Sequence, residues 1–319
     1  RSYALNLGLD IGLFSRVNVS LDWYTRTTKD LLMSKQLNSI SGFSSLLTNV
    51  GQMRNTGVEL EVRSNNIKTK DFSWTTAFNL SHNKNKILKL ADLPWFVDGR
   101  YVRKEGYPFN TIYLREYAGV DPETGSALYY DNQQDENGNY TKNKVTDPGQ
   151  ASPIPLKDIT PTISGGFMNT FNYKFIDLSF NLSYSFGGYS YDNASYILQD
   201  DGYSVISNKS TEQRRRWQKP GDITDVPRFV YGNKKGGNYN SSRAIHSTDH
   251  IRLKSLILGL NAPKAWLQKL GIGNARIYFS GTNLLTWAAY GQYDPEMSGV
   301  VGFYTPPLKT YAFGLELKF

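Results

Sequence analysis

The last ten residues, Thr310 to Phe319, read T-Y-A-F-G-L-E-L-K-F, and every second position is large and apolar. Tyr311, Phe313, Leu315, Leu317 and Phe319 alternate with Thr310, Ala312, Gly314, Glu316 and Lys318. At period two, one face is therefore apolar and the other small or charged. At 100° per residue the same five side chains would spread around a cylinder, which excludes an amphipathic helix. A ten-residue strand rising about 3.3 Å per residue and tilted roughly 40° spans on the order of 25 Å, the apolar height of a membrane β-barrel. A soluble sandwich strand alternates in the same way, so repetition along the chain has to decide between the two.

The pattern does repeat. Tyr3, Leu5, Leu7, Leu9, Ile11 and Leu13 form one stripe, and a short turn from Phe14 to Arg16 leads into Val17, Val19, Leu21 and Trp23. Val58, Leu60 and Val62 predict a further strand, joined through a polar turn, Ser64 to Asp71, to Phe72, Trp74, Thr76, Phe78 and Leu80. Ile163, Phe167 and Phe171 turn at Tyr173 to Ile176 and return through Leu178, Phe180, Leu182, Tyr184 and Phe186. Strands over Ile251 to Leu260 and Ala275 to Asn283 precede the terminal one.

Between these hairpins lie longer polar stretches. Thr27 to Val50, rich in Ser, Asn and Thr, reads as an extracellular loop. Asn83 to Pro161 is less regular, with turn signals at Asp121 to Gly125 and Asp135 to Gly138 and short strands near Thr111 to Tyr117 and Ala127 to Asp131. Gly187 to Thr248, about sixty residues, is too long for a plain connector and reads as an exposed functional loop. Pro263 to Gly271, carrying Trp266, Leu267 and Leu270, suggests one helical turn at the periplasmic rim. Short turns alternating with long loops fit a membrane barrel. Roughly ten to twelve strands would make about half of a barrel with a plugged lumen.

Composition sharpens this picture. The chain holds 22 Tyr, 16 Phe and 6 Trp yet is only 39% hydrophobic, with a mean hydropathy of -0.48. No apolar run approaches the ~20 residues a membrane helix needs. A barrel in lipid combines a polar lumen face with aromatic girdles and so produces such a composition. With no Cys, disulfides and thiolate metal sites are excluded. The net charge of +8 is scattered, with a tight run only at Arg214 to Arg216, which argues against nucleic acid. Beginning at Arg1 within a strand pattern, the 319 residues are expected to be one portion of a longer exported protein.

Two stretches carry a family likeness. Asn49 to Val62 reads N-V-G-Q-M-R-N-T-G-V-E-L-E-V, and Asn283 to Glu296 reads N-L-L-T-W-A-A-Y-G-Q-Y-D-P-E. Together with Gly119 to Gly125, Pro161 to Phe167 and Ile251-Arg252-Leu253-Lys254, they resemble the C-terminal part of the SusC/RagA family of TonB-dependent outer-membrane transporters. The resemblance implies an all-β, 22-stranded transmembrane antiparallel barrel with a plug, of which residues 1–319 would be the C-terminal portion. It also implies a Gram-negative outer-membrane location, energy from TonB, a SusD-like surface lipoprotein as lid, and oligosaccharide or oligopeptide cargo. A receptor for siderophores or metal chelates, or a barrel with surface-binding or protease activity, is the alternative. A soluble β-sandwich adhesin is a further class, which solubility without detergent would reveal.

Candidate chemistry is sparse. Asp294-Pro295-Glu296 pairs two carboxylates, which either pin a loop or contact cargo. Arg215-Arg216-Trp217-Gln218-Lys219-Pro220-Gly221-Asp222 puts Trp and Arg in the long loop, where they could stack on a sugar or peptide or pack within the loop. Trp217, Arg216, Arg228, Tyr290, Asp294 and Glu296 are the expected cargo or lid contacts. His246 and His250 flank Asp249 in sequence, but in a loop running into a strand that spacing does not specify a metal. Aligning Gly138 to a calcium loop puts Gln133 and Lys144 where carboxylates are required, so a hairpin turn is favoured. No Gly-x-Ser-x-Gly elbow occurs, and neither an enzymatic activity nor a cofactor is expected.

Overall fold

Nine antiparallel strands lie side by side in chain order: β1 (Ser2–Leu13), β2 (Val17–Gln36), β3 (Ser45–Lys68), β4 (Phe72–Leu90), β5 (Ile163–Tyr173), β6 (Ile176–Phe186), β7 (His250–Asn261), β8 (Asn274–Ala288) and β9 (Thr310–Lys318). The computed structural model describes residues 1–37, 39–43, 45–90, 94–204, 206–233, 240–268 and 271–319. The alternation in sequence becomes continuous rows across the sheet. One row runs Ile11, Val19, Val62, Phe78, Phe167, Leu182, Leu253 and Leu285, each opposite the next. Rows one residue away run through the opposite face, as in Asp10, Ser20, Glu61, Asn79, Gly166, Ser183, Arg252 and Thr286. The apolar face has no protein layer over it at the C-terminal edge, where Phe313 is 83% and Leu315 63% exposed. An apolar surface of that extent requires a nonaqueous neighbour.

The apolar rows also hold polar groups, and one of them is an amide. Asn169 on β5 is 2% exposed, and its Oδ1 accepts bonds from Trp74 Nε1 and Thr76 Oγ1, both 2.8 Å long. Trp74 stacks on Phe171 beside it, shielding the group.

At one end the connections are tight. Phe14 and Ser15 both take left-handed backbone angles, φ 53° and 51°, the sign a two-residue hairpin turn demands. Strand β3 runs on to Lys68, so the turn expected over Ser64 to Asp71 narrows to Thr69–Asp71. Lys264–Gln268 supplies the helical turn expected between β7 and β8, while Leu270 lies outside the described residues.

At the other end the strands outrun the height of an apolar band. β2 and β3 are 20 and 24 residues long. At about 3.3 Å per residue and roughly 40° of tilt, β3 climbs about 60 Å, more than twice the ~25 Å apolar band. The loop expected over Thr27 to Val50 is therefore corrected: most of it is strand, with Gln36 opposite Ser45. Register shifts between Thr28 and Leu31 and again at Leu32, with Asp30 at φ 57°, break the alternation and hide the strand from a period-two reading. The wall has nine strands rather than ten to twelve, the remaining short strands forming three separate small sheets.

Those sheets come from the long connections. Trp95–Asp98, Tyr101–Lys104, Thr111–Leu114 and Ile154–Asp158 make a four-stranded sheet, and Tyr117–Val120, Ala127–Tyr130 and Lys144–Val145 a three-stranded one. Tyr189–Asp192 pairs with Ile245–Ser247 and, in parallel, with Gly299–Val301. Ile112 and Leu114 pack with Tyr191 and Ala244 in one cluster, so the 91–162 and 187–249 connections share a core above the wall.

Candidate functional site

A cleft of about 600 Å³ opens where these loops meet the wall. It is lined by Asp192, Ser195 and Gln199 from the helical segment, Arg252 from β7, and Tyr293 and Tyr304 from the connection after β8.

Arg252 anchors this connection. Its guanidinium is 3% exposed on the polar face of β7, donating to Asp294 Oδ2 at 2.6 Å and Glu296 Oε2 at 2.9 Å. Lys254, two residues along on the same face, reaches Glu296 at 2.6 Å. The Glu296 N–H donates to Asp294 Oδ1 at 2.9 Å, a local turn that aims both carboxylates at one cation. His250 donates from Nδ1 to Thr248 O at 2.8 Å, and its Nε2 stands 3.8 Å from Glu296. Asp294 and Glu296 thus fasten a loop to the barrel wall, although Asp294 also lines the cleft.

Behind the cleft is an aromatic and hydroxyl network. Tyr290 stacks on His246 with ring centroids 3.6 Å apart and planes 2° from parallel. Its hydroxyl donates to Asp192 Oδ2 at 3.2 Å, and Ser195 Oγ donates to the same oxygen at 2.5 Å. Tyr293 meets Ser190 through their hydroxyls. Burial pushes Tyr293 up to about 12 and raises Tyr290 as well, so both phenols stay neutral hydrogen-bonding groups. Burial lowers His246, with the Asp192 carboxylate opposing, so the imidazole is held neutral against the Tyr290 ring.

The other expected contacts gather elsewhere. Trp217 lies over the 121–126 turn, with Nε1 donating to Pro122 O at 2.8 Å and its ring filling the space a side chain at Gly125 would need. Gly125 has φ 69°, which favours glycine on backbone grounds too. Arg228 donates its backbone N–H to Gly125 O at 2.9 Å and leaves its side chain exposed. Arg216 is exposed and reaches Gln213 O at 3.4 Å. The structure thus divides the six residues into Tyr290, Asp294 and Glu296 by the cleft, and Trp217, Arg216 and Arg228 on the distal loop surface.

Residues not singled out from sequence do much of the positioning. Arg252 and Asp192 organise the cleft together with His246, which the sequence offered only as a metal ligand, and the Asp201–Arg243 pair, with Asp201 fully buried, fixes the long loop together with Lys209 and Asp200. Ion pairs across tens of residues leave no spacing signal. The Asp135 turn is a hairpin closure, its Oδ1 accepting the N–H groups of Asn137 and Asn139.

No protein-family model matches the chain. Among curated proteins, TonB-dependent receptor P3 of Formosa agariphila is 34% identical over 350 residues, covering all of this chain and 34% of the receptor. TonB-dependent receptor SusC of Bacteroides thetaiotaomicron is 28% identical, covering 98% of this chain and 31% of its own length. Two solved structures, of the RagAB peptide transporter and of the RagAB peptide importer in its closed-closed state, superpose over the whole chain with TM-scores of 0.87 and 0.86. Their sequences are 31% and 30% identical to this one, and it covers 35% of each. The chain belongs to the SusC/RagA family of TonB-dependent receptors. It spans about a third of the length of the relatives it matches. The nine-stranded sheet is part of a SusC/RagA barrel wall, and the tall loops are its extramembrane rim.

Proposed function

We propose that the protein carrying this chain is a TonB-dependent importer in the outer membrane of a Gram-negative bacterium, taking up oligosaccharides or oligopeptides with a SusD-like surface lipoprotein. The observation that carries this reading is the whole-chain likeness to the RagAB peptide transporter, at a TM-score of 0.87 and 31% identity. Residues 1–319 supply wall and rim, while TonB acts through a segment outside them. The protein performs no covalent chemistry. The cleft at Tyr290 and Asp294 contacts cargo through hydroxyls and rings, and the distal surface at Trp217, Arg216 and Arg228 meets the lipoprotein.

The test is uptake. Cells lacking the gene are expected to lose TonB-dependent accumulation of a labelled oligosaccharide or oligopeptide, and a tagged receptor to co-purify with a lipoprotein. Undiminished accumulation, with no lipoprotein recovered, would overturn the proposal.

A further inference from the structure

A second cleft, of about 500 Å³, lies between the two small sheets of the 91–162 connection, well apart in sequence from the residues of the first. Its walls are aromatic. Trp95 and Tyr113 approach with ring centroids 5.9 Å apart, and Tyr140 faces the same space. Its remaining lining is amide-rich, with Asn132, Gln133 and Gln134 contributed by the hairpin that begins after Tyr130.

The state of these polar groups is informative. Gln133 Nε2 donates to Gln150 O at 3.3 Å and Ser152 Oγ at 3.2 Å, which fixes the amide and leaves Oε1 without a partner among the described residues. Asn132 is already held, accepting from Lys142 Nζ at 3.0 Å, so it acts as a rigid support. The Gln134 amide, the Tyr113 and Tyr140 hydroxyls and Trp95 Nε1 make no side-chain hydrogen bond among the described residues. Trp95 is 44% and Tyr140 36% exposed, an aromatic area that residues 1–319 leave uncovered. No carboxylate lines the cleft among the described residues, and Lys104, its one charged lining residue, sits with Nζ 5.0 Å from the Tyr107 ring.

We propose that this cleft is a binding subsite for neutral saccharide units. A pyranose ring presents an apolar C–H face suited to an indole or phenol ring, and a rim of hydroxyls that both donate and accept. Primary amides and phenols offer both functions as well. An oligopeptide or acidic glycan carries charges that would find a single countercharge here, so the fit favours an uncharged sugar. The import reading bears only on where a bound sugar goes next; binding itself does not depend on it.

The test uses the full-length receptor in detergent, applied to an array carrying neutral glycans, charged glycans and oligopeptides. The expected result is capture of at least one neutral glycan, weakened about tenfold or more by Trp95→Ala and by Gln134→Ala. Trp95→Phe is expected to keep most of the binding, which separates loss of the platform from loss of the fold. Raising the salt concentration is expected to leave capture unchanged, since no ion pair forms. Capture of no neutral glycan overturns the proposal, as does capture that Trp95→Ala leaves intact, or capture confined to charged glycans or peptides. These outcomes are separate from uptake in cells: a receptor that binds the sugar but imports nothing contradicts the import reading alone.

Discussion

Tyr278 on β8 stands directly opposite Gly314 on β9, and its ring occupies the space a side chain at 314 would fill. Tyr24 and Gly57, and Tyr184 and Gly165, repeat the relationship elsewhere in the wall. In each pair the missing side chain on one strand lets an aromatic ring lie down across the neighbouring ribbon, covering backbone that would otherwise be bare. Replacing Gly314 by Val should force Tyr278 off its rotamer, at about 1–3 kcal/mol. Thermal unfolding in detergent would show a lower midpoint for Gly314→Val, and adding Tyr278→Ala should recover part of the loss. An unchanged midpoint would show that the ring has another place to go.

The buried amide on the apolar face makes a second expectation. Asn169→Ala removes the acceptor used by both the Trp74 indole and the Thr76 hydroxyl. Each donor would then be stranded against hydrocarbon, where about 1–3 kcal/mol per group is at stake. The variant should unfold at lower temperature than Asn169→Asp, which keeps an acceptor. Equal stability of the two would remove the hydrogen bonds from the explanation.

Arg252→Met leaves Asp294 and Glu296 without the cation that gathers them, although Lys254 remains beside Glu296. Breaking one partner out of a buried pair typically costs about 3–5 kcal/mol. The 289–306 segment should become sensitive to protease in this variant, and neutralising the stranded acid with Asp294→Asn should restore resistance. If digestion proceeds as in the native protein, the anchor lies elsewhere.

His246 predicts a pH dependence. Its folded-state pKa is lowered by burial, whereas the unfolded chain titrates near 6.5. The contribution to stability is therefore fully present above about pH 6.5, and is lost as pH falls below that value towards the folded-state pKa. Protection of the 245–247 amides, taken relative to the intrinsic exchange rate at each pH, should fall between pH 7.5 and pH 5.5, and His246→Gln should abolish the fall. Protection that does not change with pH in the native protein would count against a neutral, buried imidazole.

The legible parts of this fold were those where water and hydrocarbon take opposite sides of a strand. Leu178 to Phe186, with Ser and Asn between, could be read directly, because each position faces one solvent only. Above the membrane that rule lapses. The segment Thr27 to Gln36 continues the same ribbon, but two register shifts and a left-handed Asp30 interrupt the period, and it reads as a loop. The rim sheets fail for another reason: strands of two to five residues are too short for any period to show. The cleft is less legible still. Tyr290 and His246 meet across 43 intervening positions with no constraint on spacing, and Arg252 in a wall strand looks like an ordinary lumen-facing residue until Asp294 folds back onto it.

The height of β2 and β3 has a consequence for anything arriving from the medium. A wall that climbs about 60 Å through an oily slab of ~25 Å leaves a parapet of about 35 Å standing clear of the lipid. Anything approaching from that side therefore meets the tops of these strands and their rim sheets before it could meet the bilayer.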